Sequence, residues 1–285
     1  MTVDALVRAF APAKVNIALH VIGRRPDGYH LLDSLVAFAD FGDHLEISPA
    51  KDDRFSVSGP FASGVPTDGG NLVLKARDLL RDALGGSSCP VHIHLEKRLP
   101  VASGIGGGSS DAAAALRALT AMWHLSYTPQ QLAELALALG ADVPMCLVAK
   151  AAHVSGIGED VRPVRDLPTI PAVLVNPGVA VSTPAVFARL QQRTNPPLPP
   201  FPETDDWPAW LHQTRNDLQA PAIEAAPMIG SVLEALRDSG ADFQRMSGSG
   251  ATCFGLFSTA AAANKAAALL VEENRGWFVQ PVLLS

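Results

Sequence analysis

The sequence predicts an α+β fold in two domains, on three observations. Strand-patterned and helix-patterned stretches occur in both halves without the regular βαβα alternation of a doubly wound sheet. The 285 residues are 48% hydrophobic and 18% charged, a composition that supports a large buried core and excludes wholesale disorder. Composition shifts near 160–170, which sets the domains at 1–160 and 161–285.

The elements follow in chain order. Over 13–22, Val15, Ile17, Leu19 and Val21 alternate with Lys14, Asn16, Ala18 and His20. A period of two marks a strand with one buried face and puts Lys14 and Asn16 together on the other. Gly23-Arg-Arg-Pro-Asp-Gly28 closes it in a turn. Strands are predicted at 43–48, 54–58 and 91–97. A helix is predicted over 71–84, where Leu72, Ala76, Leu79, Leu80 and Ala83 recur at helical spacing. Residues 112–123 open with four alanines and contain no breaker, so they form a second helix. Thr128, Pro129 and Gln131 spell the start of a third, with a capping box, and Gly140 stops it. Strands at 151–164 and 171–176 precede a short helix opened by Ser182-Thr183-Pro184. Residues 195–208 carry six prolines, with Asp205 and Asp206, and read as an exposed excursion. The C-terminal part reads helix 212–224, helix 227–239, strand 242–246, glycine loop, strand 252–257, helix 259–273 and strand 278–284.

Charge and cysteine content narrow the function. A net charge of −6 without basic clusters argues against coating nucleic acid or an anionic membrane. It does not exclude a small anion, which a few backbone amides and one lysine can hold. Cys89, Cys146 and Cys253 are odd in number and lack C-x-x-C spacing, so free thiols in a reducing compartment are expected. The N-terminus lacks a leader pattern and no run of 18 apolar residues occurs. The expectation is a cytoplasmic protein with a small-molecule partner, no nucleic acid and no membrane.

The segment Gly104-Ile105-Gly106-Gly107-Gly108-Ser109-Ser110-Asp111 lies between a predicted strand and a predicted helix. Glycines let the backbone adopt positive φ and approach a ligand, and the helix start adds free amides and partial positive charge. The Walker A pattern fails because no lysine precedes Ser109. The dinucleotide pattern fails because its sixth position is Ser109 and no acid follows about twenty residues on. Asp40-Phe41-Gly42 echoes a protein kinase, but it precedes the loop and lacks the other kinase motifs. A purely structural glycine turn remains as the bland alternative.

From Pro100 to Ser110 the pattern P-x-x-x-G-I-G-G-G-S-S resembles the nucleotide loop of the GHMP kinases, which include galactokinase and the homoserine, mevalonate and phosphomevalonate kinases. Ala11-Pro-Ala-Lys-Val-Asn-Ile-Ala-Leu19 resembles that family's first motif and Gly248-Ser-Gly-Ala251 its third. Gly23–Arg24 through Tyr29-His30, together with Gly140-Ala-Asp-Val-Pro144, narrow the resemblance to one branch of the family. The motifs are in order and span 11–251. The resemblance implies an N-terminal domain like the second domain of ribosomal protein S5, a ferredoxin-like C-terminal domain, and an active site in the cleft between them. It implies ATP and Mg²⁺ as cofactors. The reaction it implies is phosphorylation of the 2-hydroxyl of a cytidine diphosphate-linked methylerythritol, in the non-mevalonate isoprenoid pathway. A homoserine- or mevalonate-type kinase and a non-catalytic nucleotide or metabolite sensor are the alternatives.

The resemblance also assigns roles. Pro100, Val101, Ala102, Ser103, Gly104, Ile105, Gly106, Gly107, Gly108, Ser109 and Ser110 would hold ATP. Asp142 would accept or orient the proton of the attacking hydroxyl, where its ordinary reading is a helix N-cap. Lys14, ordinarily a solvated lysine on a half-exposed strand, would counter the developing alkoxide charge, with Asn16 beside it. Tyr29 and Phe187 would sandwich a cytosine, His30 would read its edge, and Thr183 would serve the diphosphate. Without that context Tyr29 and His30 are a surface pair and Phe187 is core. His92 and His94 read as a solvent-facing strand edge in preference to a metal pair. The role of Asp111, which is Asn in some relatives, stays open.

Overall fold

The computed structural model describes residues 6–86, 88–164, 167–202 and 207–285. They fall into two compact units, each discontinuous in sequence. The first holds 6–13, 41–101 and 106–149; the second holds 14–40, 102–105 and the described part of 150–285. A single division between 160 and 161 does not describe these units, because strands β1 (Val7–Arg24) and β2 (His30–Pro49) each supply residues to both. Asp205 and Asp206 lie outside the described residues. The expected strand at 43–48 is only the second half of β2. Residues 33–39 are buried without alternation, so no period of two marks the first half.

In the first unit β3 (Arg54–Ser58) pairs parallel with β4 (Val91–Glu96), which pairs antiparallel with β2. Here the alternation is legible. Leu45, Ile47, Val91, Ile93 and Leu95 are buried, while His44, Glu46, His92 and His94 are half-buried on the other face. His92 and His94 are tied across the strands to the hydroxyls of Ser56 and Ser58. Four helices complete the unit: α1 (Leu72–Ala83), α2 (Gly107–Met122), α3 (Pro129–Leu139) and α4 (Val143–Val148). Asn71 caps α1 by accepting from the Val73 amide, and α3 carries the Thr128–Gln131 capping box with Pro129 at its first position. Helix α2 packs against the other three, and its fully buried Ala112, Ala113, Ala114 and Ala115 permit close approach. It starts at Gly107 rather than at Ala112, so the second half of the glycine segment is its first turn.

The second unit contains, in order, β5 (Ala152–Gly156), β6 (Asp160–Pro163), β7 (Ile170–Asn176), α5 (Thr183–Ala188), α6 (Trp207–His212), α7 (Gln219–Ala225), α8 (Met228–Asp238), β8 (Phe243–Met246), β9 (Cys253–Leu256), α9 (Ala260–Glu273) and β10 (Phe278–Leu284). Strands β10, β7, β9 and β8 pair antiparallel in that order. With α8 and α9 they form the βαββαβ pattern of a ferredoxin-like fold. Ile229, Val232 and Leu236 of α8 and Ala263, Ala266 and Leu270 of α9 join Val173, Val175 and Met246 in one apolar core. The first half of β2 pairs with β5. The single helix expected at 212–224 is instead α6, a loop and α7. The break falls where the Thr214 hydroxyl turns back onto the Leu211 carbonyl, a local bond that competes with helix.

The start of the expected proline-rich excursion is pinned down at Pro196 and Leu198. The Pro196 carbonyl accepts from Arg215 Nη2 and from His20 Nδ1, and the Leu198 amide donates to Asp33. Since the Arg215 amide donates to Nε2 of His20, that ring is neutral with its proton on Nδ1, and burial lowers its pKa. Burial opposes ionisation of Asp33, but hydrogen bonds from His153 and Leu198 outweigh it and hold the carboxyl below its ordinary range. The same bond to Asp33 raises the His153 pKa.

Asp40-Phe41-Gly42 has a structural job. Asp40 accepts from the Leu283 amide, Phe41 lies under the Arg98 guanidinium at 4.4 Å, and a Cβ at Gly42 would sit 2.1 Å from the Ala11 carbonyl oxygen. Gly42→Ala therefore forces two buried backbones apart and is expected to cost about 3 kcal/mol or more, read as a lower urea midpoint. A pH prediction follows from the Asp33–His153 pair. Asp33, lowered from 3.8, contributes stability that is lost as pH falls through its folded value; His153, raised from 6.5, contributes stability that is lost as pH rises through its folded value. Asp33→Asn should thus lower the urea midpoint most at pH 4–6.5 and flatten both flanks of its pH profile; equal loss at every pH would show that the charge does not matter.

Candidate active site

Three segments far apart in sequence are stitched together in the second unit. The carbonyls of Ser103, Gly104 and Ile105 accept, in turn, from the Thr252 amide at 3.0 Å, the Ser247 hydroxyl at 3.0 Å and the Lys14 amide at 2.9 Å. The Ser247 hydroxyl also accepts from the Asn16 amide at 3.0 Å. Gly104 has φ +80, and a Cβ there would lie 2.6 Å from the Ser247 carbonyl and 2.7 Å from that of Gly250, so only glycine fits. Positive φ recurs at Ala102, Gly104 and Gly106.

Strand β1 is buried on both faces at this point, so Lys14 and Asn16 are only 5% and 4% exposed. Lys14 Nζ donates to Asn16 Oδ1 at 3.0 Å, Asn16 Nδ2 donates to Ser34 Oγ at 2.8 Å, and Ser34 donates to the Ala18 carbonyl at 2.6 Å. The chain of donors fixes which way the Asn16 amide faces. Arg245 braces the strand, donating to the Ile17 carbonyl and to acceptors on Leu211 and Thr214 while lying over the Phe243 ring. Its acceptors are all neutral, and burial pushes its pKa down to about 10.

The aromatic candidates also belong to this unit. Tyr29 is 61% exposed. Phe187 stacks on His30, with ring centroids 4.8 Å apart and an interplanar angle of 22°, so one face of Phe187 is already taken. His30 Nδ1 is buried with no hydrogen-bond partner, and burial lowers the His30 pKa. The Thr183 and Ser249 hydroxyls meet at 2.7 Å, which joins α5 to the 248–251 segment.

In the first unit, α2 begins at a glycine. Gly106 caps it with φ 65 and, as a glycine, supplies no side-chain cap. The Ser110 hydroxyl, in the same turn, is fully buried without a partner. Pro100 is buried and Val101 exposed at the approach to this turn. Asp142 precedes α4 and makes no capping bond with its side chain, so its carboxylate is not consumed as an N-cap.

The family described as GHMP kinases N terminal domain matches residues 71–150, and GHMP kinases C terminal matches 206–274. A 4-diphosphocytidyl-2-C-methyl-D-erythritol kinase of a Chelativorans species is 54% identical over 96% of this chain and 94% of its own. One from Brucella melitensis is 55% identical over the same shares. The chain belongs to the GHMP kinase family. A crystal structure of a 4-(cytidine 5'-diphospho)-2C-methyl-D-erythritol kinase superposes with TM-score 0.82 at 35% identity, covering 98% of this chain and 99% of that one. Homoserine kinase from Cytophaga hutchinsonii, at 18% identity and TM-score 0.74 over 100% and 96%, shares the fold.

One part of this GHMP kinase was not foreseen. Lys97 Nζ bridges Asp43 and Asp111 at 2.6 Å each, in a fully buried cluster. Asp111, whose role the sequence left open, is thus a partner of Lys97. A signal existed: Lys97 continues the buried series Val91, Ile93, Leu95, so a lysine stands where the period calls for an apolar residue.

The hydroxyl of Ser247 is the member of the stitch most open to test. Ser247→Ala strands the buried Asn16 amide and Gly104 carbonyl and is expected to cost about 2–3 kcal/mol. The urea midpoint reads it; a loss under about 0.5 kcal/mol would show that the loop is held by other means.

Proposed function

We propose that this GHMP kinase transfers the γ-phosphoryl group of ATP to the 2-hydroxyl of 4-diphosphocytidyl-2-C-methyl-D-erythritol, in the non-mevalonate route to isoprenoid precursors. The observation that carries the reading is the pair of relatives, 54% and 55% identical over 96% of the chain, that bear this substrate in their names.

The chemistry of the residues supports it. Residues Pro100 to Ser110 form the ATP loop, with the polyphosphate on the uncapped start of α2, whose 16 residues add aligned peptide dipoles. The buried Ser110 hydroxyl is a donor without a protein acceptor, suited to a phosphate oxygen. In the transfer the substrate O–H bond breaks, an O–P bond forms and the bond to the ADP oxygen breaks. Asp142 receives the proton and Lys14, oriented by Asn16, offsets the negative charge on the attacking oxygen. The loose transition state asks for position and electrostatics rather than covalent help.

For the cytosine, the reading shifts from a Tyr29–Phe187 sandwich. Tyr29 offers an exposed ring face, the stacked His30–Phe187 pair forms the second aromatic wall, and His30 Nδ1 is the polar atom left for the base edge. Thr183, already bonded to Ser249, is assigned to the diphosphate. Mg²⁺ fits differently. Among the described residues no group of three or more His, Cys, Asp or Glu is placed to hold a metal, and Asp111 is committed to Lys97. Mg²⁺ is therefore assigned to the nucleotide as its counter-ion and not to a protein cage. Among the described residues no helix is long and apolar enough to cross a membrane.

ADP release from Mg-ATP decides the assignment. Turnover is expected with the diphosphocytidyl substrate and at least about a hundredfold less with mevalonate or homoserine; comparable turnover with either would remove the cytidine requirement. Lys14→Ala and Asp142→Ala should each cut kcat about 10²–10⁴-fold with the KM for ATP within about threefold of wild type. Unchanged turnover in either variant would strike that residue from the catalytic set.

A further inference from the structure

We propose that Asp43, Lys97 and Asp111 form a buried lock in which Asp111 is the neutral acid, and that this lock, by setting the first turn of α2, makes Asp111 a positioning residue for nucleotide capture. The inference rests on the reading of that turn as the phosphate site.

Lys97, Asp43 and Asp111 are 3%, 0% and 3% exposed. One ammonium between two carboxylates leaves a net negative charge in a dry interior, which is costly; one proton removes it. The hydrogen bonds say where the proton sits. Asp43 accepts three: from the Arg98 amide at 2.6 Å, the Leu99 amide at 2.8 Å and Lys97 at 2.6 Å. Asp111 accepts only from Lys97, through Oδ2, and its buried Oδ1 has no partner. Asp43 is thus met by three donors, whereas Asp111 is met by one and keeps a buried oxygen that receives none, which is where a proton fits.

Burial first, and then the charge of Asp43 working against the pull of Lys97, raise the Asp111 pKa to about 8. Lys97 at the end of β4 and Asp43 on β2 are the charged groups that act on it. The buried residues of the helices packed on α2 include Val73 and Leu80 of α1, Ala136 of α3 and Val143 and Met145 of α4, none of which titrates. Arg117 of α2 itself turns to the carbonyls of Phe10, Cys146 and Leu147.

The lock touches the phosphate turn directly. Lys97 Nζ lies 3.1 Å from where a Cβ on Gly107 would stand, and Asp111 follows Gly107 one turn along the helix. Removing the proton puts a net negative charge one turn behind amides that must receive a polyphosphate. Nucleotide binding therefore holds the proton on.

The test compares wild type with Asp111→Asn, the fixed neutral mimic. In wild type, kcat/KM for ATP is expected to fall about tenfold per pH unit above about pH 8. Calorimetry with a non-hydrolysable ATP analogue at pH 8, in buffers of different ionisation enthalpy, should show proton uptake. Asp111→Asn should stay within about threefold of wild type at pH 7, lose the alkaline fall and take up no proton on binding. A variant that keeps the fall and the uptake, or that loses nucleotide binding at pH 7, overturns the lock. Should Asp111→Asn not fold, absence of proton uptake by wild type at pH 8 overturns it alone. Gly108→Val separates the two ideas: unchanged analogue affinity there refutes the phosphate reading, whereas weakened affinity with an unaltered Asp111→Asn profile refutes only the lock.

Discussion

Three consecutive carbonyls, those of Ser103, Gly104 and Ile105, hold the functional half of the second unit together. Each receives one hydrogen bond from a different distant segment or its neighbour: Thr252, Ser247 and Lys14. Main-chain donors and acceptors buried in this way must be paired, and here the pairing doubles as assembly. It fixes the backbone on which Lys14 and Asn16 stand. A Cβ on Gly104 would occupy the space where these backbones meet.

Around that framework the protein buries an unusual amount of charge and gives each instance a different settlement. Arg245 is surrounded by neutral carbonyls and a ring. Asp33 is held by His153 and a backbone amide. Lys97 is shared between two carboxyl groups. Such groups add little net stability, because desolvation offsets most of the attraction, but they permit few alternative arrangements. Their common effect is positional: β1 behind Asn16, the proline-rich segment over His20, and the first turn of α2 over Lys97.

Short-range chemistry was legible where one chain segment settles its own structure. The capping box at Thr128, the start of α3 at Pro129 and its stop at Gly140 all needed only neighbouring residues. Legibility failed where burial is two-sided. Residues 33–39 of β2 show no period because both faces are covered, and Lys14 sits in a strand whose polar face is as dry as its apolar one. It failed again at 212–224, where a hydroxyl turned a helix into two, and at the proline-rich stretch, whose exposed composition hides anchoring bonds from elsewhere.

The sequence by itself determined the glycine segment, the helix behind it and the order of motifs from 11 to 251, and with them the family. Those are properties of residue type and spacing, which no distant contact has to supply. Only the tertiary structure decided that Asn16 is oriented through Ser34, that His30 covers Phe187, and that Asp111 shares a buried lysine with Asp43. Each of these depends on which groups meet in a medium without water, where a single hydrogen bond or charge changes what its neighbour can do, and that meeting is set by the fold and not by any stretch of chain read alone.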